Sequence, residues 1–530
     1  MIAASADHQT DLLSFLRRPE SYPENPAAVE IRQTHISIVA LTPSHAYKLK
    51  KALDLGFLDY STLEKRRQAC EAEVRLNQRL SHDIYLGVVP ISRRGSNLAF
   101  GGDGDIIDYA VQMRTLREQD MLDQRLAQGA VGLLDVERVA DKLAKFYAAQ
   151  SPSARITAWG QIAKLRLSTD ENFAQTKQFV GTLISRPAHE AIQLFTQLFY
   201  ERHAALLERR CSTGAILDCH GDLRCEHVHF VNGDINIIDC IEFNDRFRYI
   251  DVANDIAFLA MDLDFRGRSD LAAVFAQRIA TARADQDLLA LVDFYKCYRA
   301  YVRGKVSSIK SAESEVPAAE RQRSRDQASR FFALALSYAL TGSEPLLLSI
   351  TGRIGTGKSS VAHVLGDALH APVFSSDRIR KELAGFTPWL RSDAAARPEL
   401  YSAAMTKHTY EVMMTRGLEQ AKAGHVAVLD ATFGKREHRD FLRERAKAAG
   451  VRHAFVELRA SDEQIQQRLL QRETSEREIS DARLEDFETL SASFEPHQPD
   501  ENGAFVSIGT GSSPEATGRQ ALKALIRAAA

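Results

Sequence analysis

The chain has 530 residues with an ordinary globular balance, 45% hydrophobic and 26% charged, and a formal net charge of −2. That length exceeds one hydrophobic core and predicts about two to four domains, while near-neutrality argues against a generic electrostatic binder of nucleic acid, though not against a local basic groove. No apolar run approaches the ~18 residues of a membrane span, and six cysteines make no disulfide framework. With no basic and then apolar leader at its start, the chain is expected in the cytoplasm with reduced thiols.

Strand-like alternation runs from Val29 to Val39, turns at Thr42-Pro43-Ser44-His45 and returns through Ala46–Lys50. A helix follows from about Thr62 to Leu80, then strands at Leu86–Ile91 and Ile106–Met113, then a helical pattern from Gly132 to about Glu208. Ala215–Leu217 leads into His220-Gly221-Asp222-Leu223, and Ile235–Asp239 reads as a short strand ending in an acid. Two acids at such ends suit phosphoryl transfer. Asp222 can orient a hydroxyl and accept its proton, and Asp239 can hold Mg²⁺ against nucleotide phosphates. Cys219, His220, Cys225, His227, His229 and Cys240 lie close together, but no C-x-x-C pair occurs and the spacings match no common zinc module. The cysteines read as buried thiols. Tyr298–Lys305 mixes aromatic and basic residues, as a pocket for an acidic or phosphorylated ligand or a solvated basic face would. Glu313–Ala339 is expected as a helix with Pro317 in its first turn, and a boundary follows near 338–345.

After Pro345–Ile350, residues 352–359 read Gly-Arg-Ile-Gly-Thr-Gly-Lys-Ser, and a helical pattern follows over Val361–Leu369. Strand, glycines, lysine, hydroxyl and helix in that order form a phosphate-binding loop. Its expected nucleotide contacts are Gly352, Arg353, Ile354, Gly355, Thr356, Gly357, Lys358, Ser359 and Ser360, with Lys358 on the β- and γ-phosphates and Ser359 on Mg²⁺. Further strands are expected at Pro372–Asp377, Val426–Asp430, Ala454–Leu458 and Ala504–Ile508, separated by helices. That alternation implies a parallel sheet with its ligand at the strand C-termini. Asp430 is the natural acid for Mg²⁺ or its bound water. Asp377, with Arg378 and Arg380 nearby, is placed to meet an acceptor. Arg468 and Arg472 share a helix face, with Arg477 in the loop beyond, and could fold over the transferring phosphoryl as a lid. The basic run Lys435–Lys447 could touch nucleic-acid ends or be a wet face.

The first part, Val29 to Tyr338, resembles the aminoglycoside phosphotransferase and choline kinase branch of the protein-kinase-like fold. His220, Gly221, Asp222 and Asp239 match its H-G-D-x-x-x-x-N loop and later metal-binding Asp, and Asp251 and Asp255 resemble the segment that braces the loop. The resemblance implies that Lys48 or Lys50, which share a strand face, binds phosphate. It further implies that Glu73 pairs with that lysine, that Val111-Gln112-Met113 meets adenine and that the Thr42–His45 turn covers the phosphates. His227 stands where the family's second metal ligand, an asparagine, belongs, and imidazole favours softer metals than Mg²⁺.

Pro345 to Ile526 resembles the small P-loop kinases grouped with zeta-toxin-like and polynucleotide-kinase-like proteins. The matching segments are Gly352–Ser359, Ser376–Lys381, Leu429–Phe433 with Arg439 downstream, and Arg468/Arg472 before Ser480-Asp481-Ala482. Together the parts resemble a bacterial class that fuses the two. This implies an α+β protein-kinase-like domain over 1–340 (lobes of about 25–115 and 116–340) and an α/β P-loop NTPase domain with a parallel sheet over 345–530. It also implies ATP or GTP with Mg²⁺ at two sites and phosphate transfer to a small hydroxylated acceptor. The alternatives are an N-terminal pseudokinase or sensor module on a C-terminal ATPase switch, and a nucleic-acid end kinase. The sequence does not fix the oligomeric state.

Overall fold

The structure, a computed structural model, describes residues 10–529 other than 57, 232, 388–391, 393–394, 474–478, 499 and 502. Packing divides the chain into two compact units, Met1–Leu165 with Ala205–Val292, and Arg166–Ala204 with Asp293–Ala530. This grouping differs from a single cut at 338–345. The helix Arg186–Arg202 buries Ala191, Ile192 and Phe199 and packs on the helices Ala318–Thr341 and Pro514–Ala529 of the second unit. Its apolar face is legible in sequence, but the surface that face lands on is not. The helical stretch expected over 132–208 is several helices, among them Leu133–Ala148, Ile162–Thr176 and Arg186–Arg202.

The first unit opens with an antiparallel sheet of β1 (Glu30–Gln33), β2 (Ser37–Leu41), β3 (His45–Lys50), β4 (Tyr85–Arg94), β5 (Asn97–Phe100) and β6 (Asp105–Arg114). Their order is β1-β2-β3-β6-β4-β5. Period-two alternation along β3 sends Tyr47 and Leu49 into a core with Leu16, Tyr22, Ile38 and Ile91. Lys48 and Lys50 therefore face the other way, toward the helix Leu63–Asn77, which Thr62 caps by accepting the Lys65 N–H at 3.2 Å. Two ribbons, β7 (Ile216–Asp218) with β10 (Tyr249–Asp251) and β8 (Val228–Val231) with β9 (Asp234–Ile237), hold the segments 219–227 and 238–248 between them.

The second unit carries a parallel sheet of β11 (Leu346–Thr351), β12 (Val373–Ser375), β13 (Val426–Asp430), β14 (Arg452–Arg459) and β15 (Ala504–Gly509), in the order β12-β13-β11-β14-β15. β11 and β13 are buried along their whole length, which explains their unbroken apolar runs. Register sets Ile350 and Ser375 on either side of Asp430, so three strand ends come level. β12 stops at Ser375, and Asp377 lies in the first turn of the helix Ser376–Leu383.

Arg439 is a structural pillar of this unit. Its Nε and Nη2 donate to Glu501 at 2.8 and 2.6 Å, and its Nη1 to the Phe433 and Glu495 carbonyls at 2.9 Å. The two side chains are 2% and 0% exposed, so deleting Arg439 leaves buried Glu501 with Arg443 Nη2, at 2.9 Å, as its remaining arginine and leaves the Phe433 and Glu495 carbonyls without this donor. Arg439→Ala is expected to cost about 3–5 kcal/mol, read as a lower urea midpoint for the second unit; a loss within about 0.5 kcal/mol, the scale of a surface substitution, would contradict the burial argument.

Candidate functional site

The phosphate loop joins β11 to the helix Lys358–Leu369. Gly352 and Gly355 have φ of 138° and 70°, and a Cβ there would stand 2.5 Å from the Leu458 carbonyl and 2.9 Å from Ile465. Glycine is therefore required by conformation and by space. The loop bounds a cavity of about 520 Å³ lined by Arg353, Ile354, Gly355, Gly357, Lys358 and Ser359; Gly352, Thr356 and Ser360 support it without lining it. Lys358 Nζ donates to the Arg353 carbonyl at 2.8 Å, as does Thr356 Oγ1. Burial pushes Lys358 down to about 8, against the pull of Asp430 and Asp377. Burial raises Asp430, while Lys358 and a hydrogen bond from Ser359 oppose that shift. A hydroxyl and a carboxylate side by side are hard oxygen donors and fit Mg²⁺.

Across the cavity stand Asp377 and Arg380, one helical turn apart. Arg380 is 6% exposed. Its Nη1 donates to the Leu400 carbonyl at 3.2 Å and Thr406 Oγ1 at 3.0 Å, its Cζ lies 4.7 Å from the Tyr401 ring centroid, and its Nε has no hydrogen-bond partner among the described residues. Arg378 instead pairs with Glu382 on the surface. The two arginines read as a lid divide. Arg472 lines the cavity. Arg468 does not; it donates to the Thr356 carbonyl at 3.2 Å and to Thr510 Oγ1 and O at 3.0 and 2.6 Å. It braces the loop from behind. Arg477 lies outside the described residues. Sequence reasoning missed Arg397 and Tyr401, which also line the cavity and carry no motif, and read Lys435 and His438, which line it too, only as part of a basic run. It also missed the buried pair Lys381–Asp481 (3.2 Å), whose carboxylate accepts from Ser392 Oγ at 2.6 Å and Tyr401 Oη at 3.1 Å.

The first unit assembles a second polar centre. Lys48 Nζ lies 2.8 Å from Glu73 Oε1 and 2.7 Å from Asp239 Oδ1. Lys50, 1% exposed, pairs with Glu73 and Glu242, and Tyr60 Oη donates to Glu242 at 2.7 Å. Structure thus separates the two lysines that sequence could not: Lys48 meets the acid at the strand end and Lys50 is sealed below it. Burial opposes the Lys48 charge, but Asp239 and Glu73 hold its pKa well above the usual value. Lys48 and His227 in turn hold Asp239 well below the carboxylate range despite burial. Asp239 has φ 62°, a strained setting secured by its N–H to Tyr85 Oη at 3.1 Å and by the Cys240 N–H to Asn77 Oδ1 at 2.8 Å.

Asp255 accepts the N–H groups of His220 and Gly221 at 3.0 and 2.8 Å and the Tyr147 hydroxyl at 2.8 Å, which fixes the loop bearing Asp222. Asp251 caps the helix Val252–Phe265 and takes a forked bond from Arg210 at 2.8 and 2.7 Å. Asp222 is gripped by Arg224, Nε to Oδ1 and Nη2 to Oδ2 both at 2.9 Å, a partner the motif did not reveal. His227 Nδ1 lies 2.8 Å from the Asp222 carbonyl, and its Nε2 lies 3.6 Å from Asp239 Oδ2. Burial and Arg224 push this imidazole down to about 4, so it is neutral at pH 7. Two carboxylates and an imidazole do not fit Mg²⁺ as the P-loop pair does. Met113, one residue before the end of β6, packs beside Tyr85, Val111 and Cys70. The Thr42–His45 turn is tied by Glu24, which accepts from Thr42 Oγ1 at 2.9 Å, and by the Thr115 N–H to the Ser44 carbonyl at 3.1 Å. That turn stands where β6 leaves the sheet. The β1–β2 turn stands at the other end of β2, with the Lys51 N–H on the Ile36 carbonyl at 2.9 Å.

Other expectations resolve as packing. Cys219, Cys225 and Cys240 are buried free thiols, and burial raises each. Tyr301 lies in the helix Leu289–Ala312 with its hydroxyl 2.9 Å from His189 Nδ1, and Lys305 donates to Asn172 and Gln175. On the helix Arg436–Ala448, Arg436, Arg439 and Arg443 pair with Asp500, Glu501 and Asp440. Among the described residues, no helix is long and apolar enough to cross a membrane.

Comparison with known proteins returns relatives similar over most of the chain. The chain is 31% identical over 435 residues to "Uncharacterized protein Rv2004c" of Mycobacterium tuberculosis (strain ATCC 25618 / H37Rv), covering 82% of this chain and 84% of that protein. This chain belongs to the same family. A family model described as "AAA domain" (AAA_33) matches residues 347–497, which hold the phosphate loop, Asp377, Asp430 and Arg472. Among solved structures, a gluconokinase from Sinorhizobium meliloti 1021 is similar at 22% identity and TM-score 0.26, over 34% of this chain and 93% of that one. A choline/ethanolamine kinase family protein from Mesorhizobium loti is similar at 12% identity and TM-score 0.37, over 61% and 94%.

The lowered Lys358 has a consequence for anion binding at the loop. Its ammonium is nearly complete at pH 7, half lost near pH 8 and mostly lost above it, whereas a bound polyphosphate restores the charge. Polyphosphate binding is therefore expected to weaken above pH 8 and to take up close to one proton at pH 9, measured by calorimetry in buffers of different ionisation enthalpy; binding at pH 9 without proton uptake would contradict it.

Proposed function

We propose that the chain is a phosphotransferase whose P-loop centre moves the γ-phosphoryl of ATP or GTP to the hydroxyl of a small anionic acceptor. The observation that carries this reading is convergence. Lys358, the Ser359–Asp430 pair, Asp377 and Arg380 meet around one cavity of about 520 Å³. The loop amides and Lys358 hold the polyphosphate, and Arg472 adds charge where negative charge develops. Ser359 and Asp430 would hold Mg²⁺, which when bound would supply positive charge to neutralise the polyphosphate. Asp377 orients the acceptor hydroxyl and takes its proton as the new O–P bond forms, and the nucleoside diphosphate leaves with the electrons of the broken bridge. Arg380, which lines the cavity with an Nε unpaired among the described residues, is the candidate partner of an acceptor carboxylate or phosphate. Free, buried thiols suit the reducing cytoplasm we assign it to.

The first unit supports two readings. As a second transfer centre, Lys48 with Glu73 would hold phosphate, Met113 would border the base and Asp222 would take the acceptor proton. As a sensor module on an ATPase switch, it would bind without turnover; Arg224 clamped on both oxygens of Asp222 favours this second reading. A nucleic-acid end kinase is disfavoured because three arginines of Arg436–Ala448, Arg436, Arg439 and Arg443, are already paired with acids.

With labelled ATP and a metabolite extract, Lys358→Ala should remove the main labelled products by about 10²-fold or more, while Asp222→Asn reports separately on any product of the first unit. Products that survive Lys358→Ala and vanish with Asp222→Asn would assign the chemistry to the other centre. Once the acceptor is known, Arg380→Met should raise its KM by roughly tenfold or more, the worth of a lost charged hydrogen bond, with the nucleotide KM nearly constant; equal changes in both would remove Arg380 from the acceptor side.

A further inference from the structure

The centre of the first unit contains a donor set that Mg²⁺ does not explain. Asp222, His227 and Asp239 come from two separate segments, yet one ligand atom from each lies within 4.8 Å of the other two. His227 is only 7% exposed. Its Nδ1 is engaged by the Asp222 carbonyl at 2.8 Å, and a backbone oxygen only accepts, so Nδ1 carries the proton. The lone pair is thereby placed on Nε2. That atom points at Asp239, 3.6 Å from its Oδ2, a few tenths of an ångström more than two ligands of one ion require at bond lengths of about 2.1 Å. This anchoring of one ring nitrogen so that the other can coordinate is how proteins hold a metal-binding histidine.

We propose that Asp222, His227 and Asp239 bind a first-row transition-metal ion of the Mn²⁺ class in preference to Mg²⁺. An imidazole beside two carboxylates suits ions that accept nitrogen as readily as oxygen, whereas Mg²⁺ keeps to oxygen and water. Arg224 is the internal competitor. Its Nη2 lies 3.2 Å from His227 Nε2 and 2.9 Å from Asp222 Oδ2, so the cation already there is a guanidinium. It has somewhere to go, because Nη1 pairs with the more exposed Glu226. Metal entry is an exchange of one cation for another, with Arg224 moving out onto Glu226. This site is independent of the P-loop reading.

The test uses the full chain without nucleotide, carrying Ser359→Ala so that the P-loop centre contributes no metal signal. Mn²⁺ is titrated and free aquo-Mn²⁺ is followed by electron paramagnetic resonance, with Mg²⁺ as competitor. Pulsed measurements on the bound ion report directly coordinated nitrogen. One bound Mn²⁺ with a ¹⁴N coupling is expected, and Mg²⁺ should need at least a tenfold excess to displace it. His227→Asn should abolish the coupling and cut the Mn²⁺-over-Mg²⁺ preference at least tenfold, and Arg224→Met should tighten Mn²⁺ at least fivefold. Absence of ¹⁴N coupling with His227 in place would overturn the proposal whether or not the variants fold. Displacement by equimolar Mg²⁺, or a Mn²⁺ isotherm unmoved by His227→Asn, would overturn it too. An isotherm unmoved by Arg224→Met would overturn the exchange with the guanidinium.

Discussion

Parallel pairing of β11 with β13 is the constraint on which the P-loop cavity rests. Because Ile350 stands beside Asp430 and Ser375 on the far side of it, the phosphate loop, the acid and the start of the Asp377 helix emerge at one level. A one-residue slip in either ladder would move Asp430 about 3.3 Å along the strand, out of level with the loop, and exchange the side chains between the sheet's two packed faces. Both strands are buried on both faces, so no such slip is tolerated. The glycines then let the loop curl within contact of Leu458 and Ile465, and Arg468 ties its carbonyls to Thr510. The site is rigid where it would hold phosphate.

The first unit solves a different problem, the burial of charge. Glu73 is held between Lys48 and Lys50, with Glu242 below and Asp239 above. Such a chain tolerates low dielectric only because every charge has an opposite neighbour. The alternation of β3 makes it possible by placing both lysines on one face while Tyr47 and Leu49 fill the core behind. The same logic produces the Arg224 clamp. Without a metal, two acids at the top of this chain need cations, and the fold supplies Lys48 to one and Arg224 to the other.

Much of this architecture was open to reading from the chain. The phosphate loop, the acid ending β13 and the acid two residues past β9, which stops at Ile237 rather than at Asp239 as expected, follow from local pattern, since periodicity, glycine placement and strand-end acids are properties of contiguous residues. Lys48 against Lys50 was not legible, because both share a strand face and only the position of Asp239 tells them apart. Nor was the division of Arg468 from Arg472. One helical spacing makes them equivalent in sequence, while Thr510, 42 residues downstream, captures only the first. Arg439 carried a motif resemblance, and the fold uses it to neutralise Glu501.

What the sequence determined by itself is therefore the kind of chemistry available: a loop for polyphosphate, hard acids beside it, and an imidazole beside a second pair of acids. What only the tertiary structure decided is which of several equivalent side chains faces the work, and which of two compact units the helix Arg186–Arg202 joins. The physical reason is that pattern along a chain specifies which face is apolar or charged, whereas the partner that face meets is set by packing between segments distant in sequence.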